Sequence, residues 1–181
     1  MGYTHYWRIP NKLSPTKWKS IIADFEKLIV DQKYFLTTLL SKQGDDALII
    51  DANQILFNGK KEKGHEWFCL QSNLSPEEIA YQERIYGKDE EELEHPNFFF
   101  CKTARKPYDV CVTACLIIAK HYLGEEIKIS SDGETSEWNE AKTYCQEILG
   151  YGESFQFVDR KDGQELEELK AEPTYFRLVS E

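Results

Sequence analysis

The sequence predicts a single α+β domain, with an antiparallel or mixed central sheet packed against about three main helices. Three observations predict it. The chain has 181 residues, a length one domain commonly reaches. Short apolar runs at strand spacing lie among three longer stretches at helical spacing. No repeat period and no low-complexity linker divides the chain, so the domain is expected over 1–160, with an acidic excursion at 75–95 and an acidic C-terminal segment at 161–181.

Taken in order, "GYTHYWRI" alternates and is aromatic, which predicts a first strand with Tyr3, His5 and Trp7 on one face and Thr4, Tyr6 and Arg8 on the other. "SPTKWKSIIADFEKLIVDQ" opens a helix with Ser14 as N-cap and Pro15 at the first helical position. Trp18, Ile21, Ile22, Phe25, Leu28 and Ile29 then recur along one stripe. A second helical stretch is expected near 32–41. "ALIIDANQILFNG" reads as a hairpin, and "GHEWFCLQ" as a strand with His65 and Trp67 opposite Glu66 and Phe68.

Residues 75–95 are acidic and weakly periodic, which suggests one or two short helical turns. "NFFFCKT" is continuously apolar, the mark of a central strand covered on both faces. "PYDVCVTACLIIAKHYLG" is apolar nearly all round and ends on Gly124, as a buried helix does. "EIKISSDG" predicts a strand and turn, "SEWNEAKTYCQEILG" a third long helix ending at Gly150, and "SFQFVD" a further strand.

Composition narrows the function. With 22 Lys and Arg against 32 Asp and Glu, the formal net charge is −10 and the sequence pI about 5.0. That balance argues against non-specific nucleic-acid binding, which needs a broad basic face. A focused cationic pocket stays open, because local field decides there. The five cysteines show no C-x-x-C spacing and sit in apolar segments, so they read as reduced core thiols of a cytosolic protein. No secretory leader or membrane span is expected, since the longest apolar-rich run, 110–119, is too short.

Against that acidic background, "FFFCKTARKPYDVC" places Lys102, Arg105 and Lys106 at the mouth of the buried helix. If Pro107 is the first helical residue, the unpaired amides and positive dipole end face the 102–106 loop and favour an anion. Arg105 can grip a phosphate with two bonds, Lys102 and Lys106 add point charge, and Thr103 can donate a hydroxyl hydrogen bond. The plainer alternative is that these cations pair with surface acids. The loop has no glycine cradle and is no Walker motif.

Asp109 reads as a first-turn cap or a reader of ligand hydroxyls, and Tyr108 as a packing residue or a stacking wall. Ser130, Ser131 and Asp132 end a strand and are expected near Lys102 and Arg105, where Asp132 would pair with Arg105 or accept from a ribose. His5, His65 and Glu66, if on facing strands, are an alternative acid–base set. They lack metal-ligand spacing, so neither a metal nor a cofactor is expected. No nucleophile motif is present.

The "MGYTHYW" start, "FNG…GHEWFCL", "FFFCKTARKPYDVCVTACLIIAKHYLG" and "SSDGETSEW" together resemble a family of small proteins of uncharacterised activity carried by bacteria and their phages. The similarity runs from Gly2 to about Trp138, with "TARKPYD" its most distinctive part. The resemblance implies the cytoplasm of a bacterial host cell. It further implies that His5, His65, Glu66, Lys102, Thr103, Arg105, Lys106, Tyr108, Asp109 and Asp132 share one site.

The leading expectation is a binding protein for a small anionic, nucleotide-derived ligand, which in a phage would sequester a host immune signal. The alternatives are a nucleotide hydrolase or phosphodiesterase on the same pocket, and an acidic protein–protein inhibitor using 88–94 and 162–172. A homo-oligomer is left open.

Overall fold

The structure is a computed structural model that describes residues 2–41, 48–86 and 96–157. Among them it is an α+β domain of four helices and two three-stranded antiparallel sheets. The first sheet has β1 (Thr4–Ile9) in the middle, flanked by β5 (Asn97–Lys102) and β6 (Lys128–Ser131). The second is β2 (Ile49–Ile50), β3 (Gln54–Phe57) and β4 (Phe68–Gln71), the first two forming the hairpin expected from the sequence. The helices are α1 (Pro15–Val30), α2 (Pro76–Tyr86), α3 (Asp109–Leu123) and α4 (Asn139–Leu149). None of the described helices is long and apolar enough to cross a membrane.

The core follows from pattern. Eleven of the fifteen α3 residues are buried, as an all-round apolar helix must be. It packs between α1 and α4 and under the first sheet. Trp18, Ile21, Phe25, Leu28 and Ile29 form the inward stripe of α1. Phe25 stacks on Phe57 across to the second sheet. Ser14 and Pro15 start α1 as expected, although the Ser14 side chain makes no capping bond. Gly124 (φ +58°) and Gly150 (φ +85°) end α3 and α4 in backbone that L side chains rarely adopt.

Five expectations are corrected. Residues 32–41 hold only a 3₁₀ turn, Leu36–Thr38, because Phe35 takes a left-handed φ of +52° and breaks the helical run. The 75–95 excursion contains a true eleven-residue helix, α2. It is opened by a reciprocal cap in which Glu78 N donates to Ser75 Oγ and Ser75 N to Glu78 Oε2. Residues 87–95 lie outside the described part.

β5 is not the central strand but flanks β1. Side chains substitute for the missing neighbour on its outer side. Gln82 bonds both the N–H and C=O of Phe98, each at 3.0 Å. Glu66 accepts Lys102 N at 2.9 Å and returns its own N–H to Lys102 O. Such cover keeps an edge from templating another chain. Phe155–Phe157 form no strand; Phe155 stacks on Trp138 instead, 5.1 Å between centroids. Finally, β4 begins at Phe68, so His65 and Glu66 lie in the loop before it. The Asn58 side chain holds that loop, accepting from His65 N and donating to His65 O.

Candidate functional site

Strand alternation sorts the residues that the sequence grouped together. β1 pairs His5 with Cys101 on one side and Ser131 on the other, so these three share the face covered by α3. Thr4 pairs with Lys102 and donates its N–H to Asp132, so Thr4, Lys102 and Asp132 gather on the opposite face. One proposed site is therefore two groups back to back across a sheet.

On the inner face a continuous polar chain forms. His5, fully buried, bonds Ser131 Oγ through Nδ1 at 2.9 Å and Asp109 Oδ1 through Nε2 at 2.7 Å. Thr103 Oγ1 also donates to Asp109 Oδ1. Ser131 Oγ accepts the Gly133 amide at 3.2 Å. When the Nε2 proton goes to Asp109, Nδ1 is left to accept from the Ser131 hydroxyl. Tyr3 and Trp138 wall the imidazole edge-on, at 4.9 and 5.0 Å between centroids. Ser131 is buried too, while the Asp109 side chain keeps 21% exposure, so Asp109 is the end of the chain that reaches solvent. Burial, then the Asp109 and Glu137 carboxylates, push the Tyr3 hydroxyl up to about 12.

Above this chain lies the "TARKPY" loop. Thr103 N and Ala104 N both donate to Tyr3 O, and Ala104 and Arg105 take left-handed φ of +50° and +55°. Arg105 consequently lies over the Tyr3 ring at 3.9 Å and pairs with Glu137 at 2.7 Å. That pairing holds the Glu137 carboxyl below its usual range. Gly133 fits this corner because a Cβ there would fall 2.6 Å from a Tyr3 ring carbon and 2.1 Å from Glu137 Oε2.

The helix-tip expectation changes accordingly. α3 begins at Asp109, with Tyr108 at the cap position. The amide of Tyr108 donates to Lys63 O, Asp109 N to Lys106 O and Cys111 N to Tyr108 O. The Asp109 carboxylate sits in that first turn, so the tip carries the chain's own anion rather than an open cradle. Asp132 does not meet Arg105. Its oxygens accept Thr4 N at 2.9 Å and Tyr6 OH at 3.0 Å, which clips the start of β1.

Glu66 turns its carboxylate to Lys102 N, and His65 is exposed in its loop, so the His5–His65–Glu66 set is not assembled. Tyr108 is buried and donates to Glu66 O at 2.6 Å, a packing role. The Lys102 stem lies against Gly2, and Lys106 is half-buried beside the loop. All five cysteines are free and buried. Burial raises Cys69 and Cys145 to about 12 and lifts Cys101, Cys111 and Cys115 as well, which leaves them poor nucleophiles.

The reading from sequence missed Glu137 as the Arg105 partner, Tyr3 as its platform and Gly133 as the close-packed corner. "DGETSEW" carried the last two acids of that turn, but nothing in its spacing singled out Glu137. It also missed "GKKEKGH", whose Lys63 carbonyl meets Tyr108 N at 3.3 Å. Comparison with protein-family models, curated proteins and solved structures finds no match.

Proposed function

We propose that the protein binds a small anionic, nucleotide-derived ligand at the rim carried by Arg105 and Lys106, holding it without turning it over. One observation carries the reading. Ala104 and Arg105 are consecutive non-glycine residues in left-handed backbone, a conformation costing about 1–2 kcal/mol at each. Strain of this kind persists where surrounding structure enforces it and is concentrated at ligand clamps. Here it presents an exposed guanidinium over an aromatic ring, its Cζ 3.9 Å from the Tyr3 centroid, with Glu137 Oε1 at one terminal nitrogen. A phosphate can take two parallel bonds from that fork in exchange for the exposed carboxylate contact. In a phage, sequestering a host immune nucleotide would be the use of such a site.

The test is thermal shift against mono-, di- and cyclic nucleotides, with mass spectrometry of small molecules released from natively purified protein. A ligand that binds the folded state raises Tm. A rise with at least one nucleotide, lost in Arg105→Ala, is expected; no rise with any of them overturns the reading.

A second reading, a nucleotide hydrolase, is favoured by the Ser131–His5–Asp109 chain, because a histidine held between a hydroxyl and a carboxylate is an arrangement for moving protons. It replaces His65 and Glu66 with Asp109 and Ser131 in the acid–base role. Chromatography of nucleotides incubated with the protein separates the two readings: unchanged nucleotide means binding alone. The acidic segments of the inhibitor reading, 88–94 and 162–172, lie outside the described residues.

A further inference from the structure

The 58–66 loop is a second built feature beside the rim. Asn58 Oδ1 accepts the amides of Gly59 and His65, closing the loop at its base. Gly59 and Gly64 touch backbone to backbone, since a Cβ on Gly59 would fall 2.4 Å from Gly64 Cα. The loop is sewn to the rim at three points. Tyr108 N donates to Lys63 O, Glu66 N donates to Lys102 O, and Tyr108 OH donates to Glu66 O. Lys61, like Ala104 and Arg105, is a non-glycine residue in left-handed backbone, with φ +53°. Three of the four such residues among those described therefore fall in these two abutting loops.

Charge follows the same division. Residues 58–66 and 102–109 hold six Lys and Arg against three carboxylates, in a chain whose formal net charge is −10. Glu66 and Asp109 are turned inward onto Lys102 N and His5. Lys60, Lys61 and Lys63 are exposed, and His65 is exposed beside them. Among the described residues the ammonium groups of Lys60, Lys61, Lys63, Lys102 and Lys106 have no hydrogen-bonded or ion-paired acid. Glu62 is the one exposed carboxylate of the two loops, and a mononucleotide at Arg105 would bring no further negative charge to Lys60, Lys61 and Lys63. A chain of phosphates running from Arg105 past Lys63, whose carbonyl is bonded to the Tyr108 amide, would supply it, and local field rather than net charge decides at such a patch.

We infer that the ligand carries several linked phosphates, with a short single-stranded oligonucleotide as the chemical class, and that its distal phosphates lie on Lys60, Lys61 and Lys63. This rests on the rim reading above and extends it from one phosphate to several. The full chain is titrated by fluorescence anisotropy with a labelled tetranucleotide. Unlabelled adenosine monophosphate and inorganic tripolyphosphate serve as competitors. The comparison is made in the wild type, in the triple variant Lys60→Gln, Lys61→Gln, Lys63→Gln, and in Arg105→Ala, each checked for unchanged Tm.

The tetranucleotide is expected to bind at least tenfold tighter than the monophosphate. The triple variant should erase that margin and leave monophosphate affinity within about twofold. It should also flatten the slope of log K against log salt by about 2, near 0.7 for each single-strand phosphate contact. Competition by tripolyphosphate at the same strength assigns the gain to phosphates alone, and its failure assigns part of it to sugars and bases. Equal affinity for tetranucleotide and monophosphate, or a triple variant that binds the tetranucleotide like wild type, overturns the inference while leaving the rim reading intact. Absence of binding by every probe overturns both.

Discussion

The chain under the sheet and the loops above it handle polar groups in opposite ways. Below, His5, Ser131, Thr103 and Asp109 use one another up, and the imidazole is sealed from water. Above, two abutting loops with three left-handed residues carry six cations, of which Arg105 alone pairs with an acid among the described residues. A buried network that is fully satisfied rigidifies and specifies a structure. A cationic surface left unanswered adds little to folding and much to recruitment. On the proposed function, stability belongs to the lower region and binding to the upper one.

The largest effect that sharpens this division is expected from Asp109→Ala. It removes the acceptor of both His5 Nε2 and Thr103 Oγ1 and leaves a buried imidazole nitrogen unpaired. Leaving a buried donor without its acceptor costs about 1–3 kcal/mol, and the loss of two donors' acceptor at once puts this case at the upper end. Chemical denaturation should show a loss of about 3 kcal/mol. A loss below about 1 kcal/mol would mean that the network is not what holds this end of the sheet, and the comparison fails.

Next comes Gly133→Ala, where the added methyl meets the Tyr3 ring and Glu137 Oε2. Glu137 is the flexible end and can move, whereas Tyr3 is buried and cannot. Overpacking of this kind costs about 1–3 kcal/mol. Because the same shift disturbs the Arg105–Glu137 pair, ligand affinity should fall together with stability in this variant, marking Gly133 as a joint between the two regions.

A smaller, pH-linked effect follows from Tyr3. Its hydroxyl titrates near 10 when unfolded and is pushed up to about 12 in the folded protein. The folded state therefore keeps a proton that the unfolded state has lost. Stability from this group is complete below pH 10 and falls as pH rises from 10 towards 12. Tyr3→Phe should flatten the Tm-against-pH curve in that range and leave it unchanged at pH 7–9. An equally steep curve in the variant would assign the alkaline loss to other groups.

Much of this was legible in the sequence, and the failures share a cause. The fold class, the β2–β3 hairpin, the Gly124 and Gly150 helix ends and the buried character of α3 follow from local pattern and appear as expected. The Ser75–Glu78 cap was equally legible, and reading it would have revealed α2. What pattern could not supply was which groups meet. Asp132 and Arg105 looked complementary, yet Asp132 lies across the sheet on the clip of β1, while Glu137 reaches Arg105 from the next turn. "NFFFCKT" looked central because it is apolar, but Gln82 and Glu66 side chains do the work of a neighbouring strand. Both errors are tertiary substitutions, side chain for strand and one acid for another.

The smallest predicted effect tests the upper region most directly, because it should raise stability. Ala104 has φ +50° and is half-buried, and its N–H donates to Tyr3 O. Ala104→Gly keeps that bond and removes the Cβ clash of left-handed backbone, against the greater entropy that glycine loses on folding. The balance should be a gain of about 0.5–1 kcal/mol. If the strain serves to fix Arg105 on the Tyr3 ring, the same variant should bind the tetranucleotide more weakly, since glycine opens to the loop many conformations besides the left-handed one. Greater stability with unchanged affinity would mean that the left-handed pair is a by-product of the chain's path, and that Arg105 needs no such support.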